Sequence, residues 1–282
     1  MVDSSQIETI SSSTTFLPRT HRAAVAKLER PAAHEYNSLN PYEVRLAQPY
    51  ELDEVFALRY DVFFSASDTQ HANMRDVDAF DAHADHLIVK AEGRIVATYR
   101  MLPTDRLLNA GLSLYAASEF AIAPLMERIN PSRTVELGRS CVHPAHRNGS
   151  IPKLLWSALA KYMMDQGRSD AVGCVSVFNC SHLEAAGILE YFKRTNVYSE
   201  DMRCLPLHSV DAEQCEQQHE LNALVESGHC KSLVPPLLRS YLMLGAKILG
   251  GPAHDPAFNC HDFLMHFSTE SMSERCKRSF FS

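Results

Sequence analysis

Residues 134–178 constrain the fold more than any other part of the chain. Thr134–Val142 reads as a strand, and His143-Pro-Ala-His-Arg-Asn-Gly-Ser150 reads as the loop leading out of it. A helix over about 151–166 follows, with Leu154, Leu155, Leu159 and Met163 on one face. Ala171–Phe178 is a continuous apolar run, which fits a buried strand. Strand, helix and strand in that order leave little freedom. The crossover makes the two strands parallel neighbours, expected side by side near the centre of one sheet.

The remaining elements are read around that unit. Tyr42–Leu46 alternates as a first strand. A helix over about 51–63 follows Pro49, with Leu52, Val55, Phe56, Tyr60 and Phe63 at helical spacing. A polar, acidic loop runs to about His83. His86–Ala91 and Ile95–Leu102, joined by Glu92-Gly93-Arg94, read as a hairpin. A helix over about 181–193 is expected. Another is expected over Leu233–Leu249, opening at Pro235-Pro236 and stopping at Gly250-Gly251, before a last strand over Asn259–Phe267. This is an α/β (α+β) pattern with a mixed, mostly antiparallel central sheet flanked by helices. In such sheets the carboxyl end of a central strand is the default ligand site. Residues 1–40 are rich in Ser and Thr and read as a flexible tail with one short helix near Ala23–Leu28, leaving 41–282 as a single domain.

Composition narrows the function. A chain of 282 residues, 45% hydrophobic and 22% charged, can bury one sizeable core. A formal charge of −7 argues against a nucleic-acid binder. No apolar stretch approaches the roughly 20 residues that span a bilayer, and the first residues carry no signal pattern. The eight cysteines form no Cys-x-x-Cys pair, and several, such as Cys174, lie in apolar runs. These features lead to the expectation of a cytoplasmic protein with reduced thiols.

Three constellations could carry chemistry. In Glu136-Leu-Gly-Arg139, alternation puts Glu136 and Gly138 on one face of the strand, with Leu137 and Arg139 on the other. A carboxylate and a guanidinium in a central strand read either as a structural ion pair or as functional groups, with Glu136 a general base for an amine. Asp76-Val-Asp78-Ala-Phe80-Asp81 reads as a solvated loop or as a pocket for an ammonium group. The turn Arg147-Asn148-Gly149-Ser150 opens a helix, where free N–H groups attract phosphate. His83-x-x-His86 and His143-x-x-His146 lack a third ligand at zinc spacing, so no metal is expected. There is no Gly-x-Ser-x-Gly elbow and no Walker or dinucleotide fingerprint. Direct group transfer without a covalent enzyme intermediate is the reading left.

Arg59-x-x-x-Phe63, Asp78-x-Phe80-Asp81, Arg100 and Glu136-x-x-Arg139 follow the order seen in autoinducer synthases, which the chain resembles. It is more similar still to the ornithine N-acyltransferases of bacterial ornithine-lipid synthesis. The carrying segments are Glu136-Leu-Gly-Arg-Ser-Cys-Val-His-Pro144, Arg147-Asn-Gly149, Leu237-Leu-Arg-Ser-Tyr-Leu-Met-Leu-Gly-Ala246 and Gly251-Pro-Ala-His-Asp255. The resemblance runs from about Tyr42 to Phe267. It implies the acetyltransferase-like (GNAT) fold of the autoinducer synthases, with transfer of a 3-hydroxyacyl group from acyl carrier protein to the α-amine of ornithine. It implies Glu136 as catalytic base, with Asp78, Asp81, Arg100 and Arg139 around the substrate. Asp78 and Asp81 would hold ammonium groups, and Arg100 would orient a carboxylate or a loop. Arg139, placed by alternation on the far face, suits a structural or carrier-binding role. Arg147, Asn148, Gly149 and Ser150 would meet the donor. No resident cofactor is expected, because the donor rides on the phosphopantetheine of the carrier. The partners implied are acyl carrier protein and ornithine or a similar amino acid, with room for peripheral contact with the inner membrane. The competing readings are an N-acyl amino acid or N-acyl homoserine lactone synthase using another amine, and a non-catalytic acyl-carrier or lipid-binding module.

Overall fold

The computed structural model describes residues 41–64, 73–147, 149–209, 218–256, 258–272, 274 and 277. The expected tail over 1–40, with its short helix, and Asn148 lie outside these residues.

Strand β1 (Tyr42–Leu46) is followed by a short 3-10 turn and helix α1 (Leu52–Phe63). Strands β2 (Asp85–Ala91) and β3 (Arg94–Pro103) form the expected hairpin, closed by Glu92 and Gly93. Two short helices, α2 (Thr104–Asn109) and α3 (Ala123–Met126), precede β4 (Thr134–Val142). Helix α4 (Ser150–Asp165) then crosses to β5 (Asp170–Phe178). Helix α5 (His182–Arg194) starts at a capping box in which Ser181 and Glu184 satisfy each other's backbone N–H groups. Helices α6 (Gln218–Glu226), α7 (His229–Leu233) and α8 (Pro236–Met243) come next, then β6 (Lys247–Asp255) and β7 (Cys260–Ser268).

The seven strands form one sheet in the order β1-β2-β3-β4-β5-β7-β6. Every pairing is antiparallel except that of β4 with β5, so the crossover gives the arrangement its sequence requires. On one face Leu87, Tyr99, Met101, Leu137 and Met265 pack against Ile151, Leu155 and Leu159 of α4, Ile188 and Phe192 of α5, and Leu238 and Tyr241 of α8. On the other face Leu102, Val172, Leu249 and Leu264 meet Leu107, Leu114, Phe120 and Leu125, while α1 covers Ile88 and Ile95.

The long helix expected over Leu233–Leu249 is corrected. Its helical part stops at Met243, and Lys247–Asp255 is instead β6, paired with β7. Gly245 makes the break. It sits at φ 98°, and the N–H of Ala246 reaches back to the Tyr241 carbonyl at 3.0 Å, closing the helix C-terminus. Gly250-Gly251, expected to end the helix, lies within β6 where its register with β7 shifts. Among the described residues no helix is long and apolar enough to cross a membrane.

Candidate active site

Strands β4 and β5 pair only where Thr134, Val135 and Glu136 face Asp170, Ala171 and Val172. The rest of each strand is bonded on its outer side, β4 to β3 and β5 to β7, so the two diverge as a V. At the vertex Gly173 permits close approach, since a Cβ there would lie 2.5 Å from the Leu137 carbonyl oxygen. Beyond the vertex lies a cavity of about 200 Å³. Because it opens between strands, it has walls from both faces of the sheet. Tyr99, Leu137, Val175, Met265, Pro235 and Leu237 line the side covered by α8. Arg100, Glu136, Cys174, Ser176, Asp255 and Asp262 line the other. One wall is mostly apolar and the other polar.

Glu136 stands on the polar wall, 2% exposed. The turn over Tyr115–Ser118 caps it: the N–H of Tyr115 donates to Oε2 at 2.6 Å and that of Ala116 to Oε1 at 2.8 Å. Burial pushes its carboxyl up to about 7, against the pull of those two N–H groups. A carboxylate held there, half protonated near neutral pH, is suited to taking a proton from an amine.

Beside it lies a network of three guanidinium groups and three carboxylates. Arg59, with no exposed surface, donates to Asp76 at 2.8 Å and to both oxygens of Asp81 at 2.7 and 3.2 Å. Arg100 donates to both oxygens of Asp78 at 2.7 Å and to Asp81 at 3.1 Å. Arg139 reaches Asp76 at 3.1 Å and Asp78 at 3.4 Å. Burial pushes the Asp81 carboxyl up, but Arg59 and Arg100 outweigh it and hold it below the ordinary value. Asp78 and Asp81, expected to face an ammonium group, are thus both taken up by arginine, and neither lines the cavity. Arg100 does line it.

Arg139 is the second correction. Strict alternation would leave it on the far face. Instead the pairing of β3 with β4 slips opposite it, and Arg139 adopts φ 49° within that bulge. Its guanidinium turns onto the Glu136 side, 5.1 Å from the Tyr115 ring centroid and 4.9 Å from that of Phe258. Glu136 and Arg139 therefore line the same cavity.

The donor turn lies elsewhere. Arg147, Gly149 and Ser150 are exposed at the start of α4, just past the end of β4 and therefore toward the wide end of the V. Arg147 donates from Nε to the Val142 carbonyl at 3.0 Å. Sequence reasoning missed the capping amides of Tyr115 and Ala116, which carry no side-chain signal. It also left Asp262 unassigned, although a lone aspartate in the apolar run over β7 was visible.

Asp255, Cys260 and Asp262 form the one group of potential metal ligands close enough together among the described residues, within 4.8 Å. Burial and the neighbouring Asp262 push the Cys260 thiol far up, so it stays protonated and points its hydrogen at Asp262, 3.8 Å away.

The parted strands, the two-sided cavity and the buried glutamate define an acyltransferase of the GNAT class, and residues 58–157 match the acetyltransferase (GNAT) domain family. An L-ornithine N(alpha)-acyltransferase of Rhizobium meliloti is 33% identical over 271 residues, spanning 90% of this chain and 88% of that protein. Another, from Rhodobacter capsulatus, is 31% identical over 252 residues, spanning 83% and 92%. The chain belongs to the L-ornithine N(alpha)-acyltransferase family. In fold it is also similar to FeeM, an N-acyl amino acid synthase from uncultured soil microbes, with a TM-score of 0.50 over 84% of this chain and 96% of that one, at 10% identity.

Proposed function

We propose that this acyltransferase moves a 3-hydroxyacyl group from acyl carrier protein to the α-amine of L-ornithine, giving lyso-ornithine lipid as the first step of ornithine-lipid synthesis. The observation that carries the reading is Glu136, buried at the point where a polar wall and an apolar wall meet between two parted strands. The acceptor class follows the names of the relatives.

In this reading the phosphopantetheine arm lies in the V, along strand edges that have no partner there, and the acyl chain runs toward α8. Ornithine occupies the polar wall, its carboxylate toward Arg100 and Arg139. Asp76, Asp78 and Asp81 hold those guanidiniums in place. The ammonium form of the α-amine cannot attack, so Glu136 first takes a proton from it, directly or through one water. The amine nitrogen then adds to the thioester carbonyl, the C–N bond forms and the C–S bond breaks. The carrier thiol leaves with the proton the new amide gives up. The donor supplies the phosphopantetheine, and the protein contributes no resident cofactor. The chemistry takes place on the cytoplasmic side, and the amphiphilic product passes to the inner membrane from a peripherally bound enzyme.

Expression in a bacterium lacking ornithine lipid, followed by mass spectrometry of total lipids, tests the reading. A 3-hydroxyacyl-ornithine species should appear with the wild-type chain and vanish with Glu136→Gln. An acylated amino acid other than ornithine, or an acyl homoserine lactone, would replace it with one of the competing synthase readings.

A further inference from the structure

The acid group on the polar wall has an asymmetry that the proposed acceptor explains. Three buried carboxylates are matched by cations: Glu51 by Arg45 and Lys90, and Asp76 and Asp81 by arginines of the network. Asp262 is not. It is 3% exposed and lines the cavity, yet it makes no ion pair among the described residues. What reaches it is neutral, the side chain of Ser176 across the ladder and the Cys260 thiol. Its charged neighbours are carboxylates, Asp255 and Glu119, both themselves buried. Burial, opposed by the Ser176 bond, and repulsion from Asp255 push its carboxyl up to about 6. The Cys174 thiol is pushed far up by burial and by Asp262, Glu136, Glu119 and Asp255 acting together, which places Cys174 among all four acids. The acid pole and the proposed base therefore share one wall of one cavity, with the guanidinium side chains of Arg100 and Arg139 on the same wall. A buried, like-charged group of this kind is costly until a cation enters it.

We infer that Asp262, with Asp255 beside it, receives the side-chain ammonium of the acceptor, so that the enzyme selects amino acids with a cationic side chain. The inference rests on the ornithine reading above. A diamino acid suits the wall: its carboxylate meets the arginines, its α-amine meets Glu136, and its distal ammonium, which stays charged at neutral pH, meets Asp262. An apolar acceptor would leave that carboxylate buried against other carboxylates.

The test compares purified wild-type protein and Asp262→Asn on L-ornithine and on L-norvaline, which has the same carbon chain without the distal amine, using 3-hydroxyacyl carrier protein as donor. Wild type should prefer ornithine. Asp262→Asn should lower kcat/KM for ornithine about 10–100-fold, chiefly through KM, the size expected for losing one hydrogen-bonded ion partner. Norvaline should not lose activity and should hold or gain, because the variant removes the buried charge that an apolar acceptor leaves unmatched. A chelator should leave wild-type ornithine turnover unchanged. If the variant is poorly folded, wild type alone gives a second measurement. The ratio of kcat/KM for ornithine to that for norvaline cancels the titration of Glu136 and should fall as pH drops through about 6, where Asp262 protonates. The groups facing Asp262 there are Asp255, Glu119, Ser176, Cys174 and Cys260. An unchanged ornithine preference in the variant, or equal losses on both substrates, overturns the inference while leaving the ornithine reading intact. Inactivation by the chelator overturns it in favour of a metal site. A wild-type enzyme that does not favour ornithine over norvaline ends both.

Discussion

Glu136 is asked to do two things that conflict. Held by two backbone amides, it is stabilised as a carboxylate, yet burial raises its carboxyl to about 7, so both forms are populated where the enzyme works. As the proposed base it must be ionised, so kcat/KM should fall as pH drops below about 7. Glu136→Gln keeps the shape, removes the base, and should cut turnover about 10²–10⁴-fold with chemistry rate-limiting. Near-wild-type turnover at pH 7 would sink the assignment. Stability gives an independent reading. A carboxyl whose pKa is raised on folding binds its proton more tightly in the native state. Its contribution is fully present below the unfolded value of 4.5 and is lost as pH rises through about 7. Thermal melts from pH 5 to pH 9 should therefore show the difference in Tm moving in favour of Glu136→Gln as pH rises. A difference that does not move with pH would mean the carboxyl titrates normally.

At the level of elements, the sequence was most legible where the chain alternates and least where a single backbone angle decides. The crossover over residues 134–178, the hairpin and the edge strand Tyr42–Leu46 were all readable from period and turn chemistry. Arg139 was misplaced because one left-handed residue reverses the face, and no composition reveals it. The stretch through Gly245 was misread because apolar residues continue without a change of character from α8 into β6. That correction matters for the acyl chain. Of the helix expected over Leu233–Leu249 only Pro236–Met243 remains. Leu237 faces the cavity, while Tyr241 and Leu244 border a second, wholly apolar cavity with Trp156, Met163 and Phe267. The Tyr241 hydroxyl is hydrogen bonded to that of Tyr99, which lines the first cavity. Each buried methylene of a chain is worth about 0.8 kcal/mol, so a long acyl group needs such a lining. Leu237→Trp should narrow the passage and shift the product profile toward shorter chains, read by mass spectrometry of the acyl-amino acids formed. The same chain lengths at an unchanged rate would mean that α8 is simply part of the core.

At the scale of the whole molecule, the formal charge of −7 sets a problem for the proposed donor, acyl carrier protein, which is itself acidic. A favourable surface has to be local, and the sequence points to α4 and the turn before it. Arg147 and Lys153 are exposed there, whereas Lys161 is engaged by Asp165 at 2.9 Å. The turn at Arg147 and Gly149 would meet the phosphate of the donor, a group that acyl carrier protein and coenzyme A both carry. Lys153, further along the helix, would meet only the protein part of the carrier. This separates the two donors. Lys153→Glu should raise KM for acyl carrier protein about 3–10-fold at low salt, the scale of reversing one exposed charge pair, and leave KM for acyl-coenzyme A unchanged. Added salt should erase the difference, because exposed charges are screened beyond roughly 10 Å at 0.1 M. The carrier should also be the better donor for the wild-type enzyme. A clear wild-type preference for coenzyme A, or equal effects of Lys153→Glu on the two donors, would remove acyl carrier protein from the reaction and leave the chemistry at Glu136 with a different source of acyl groups.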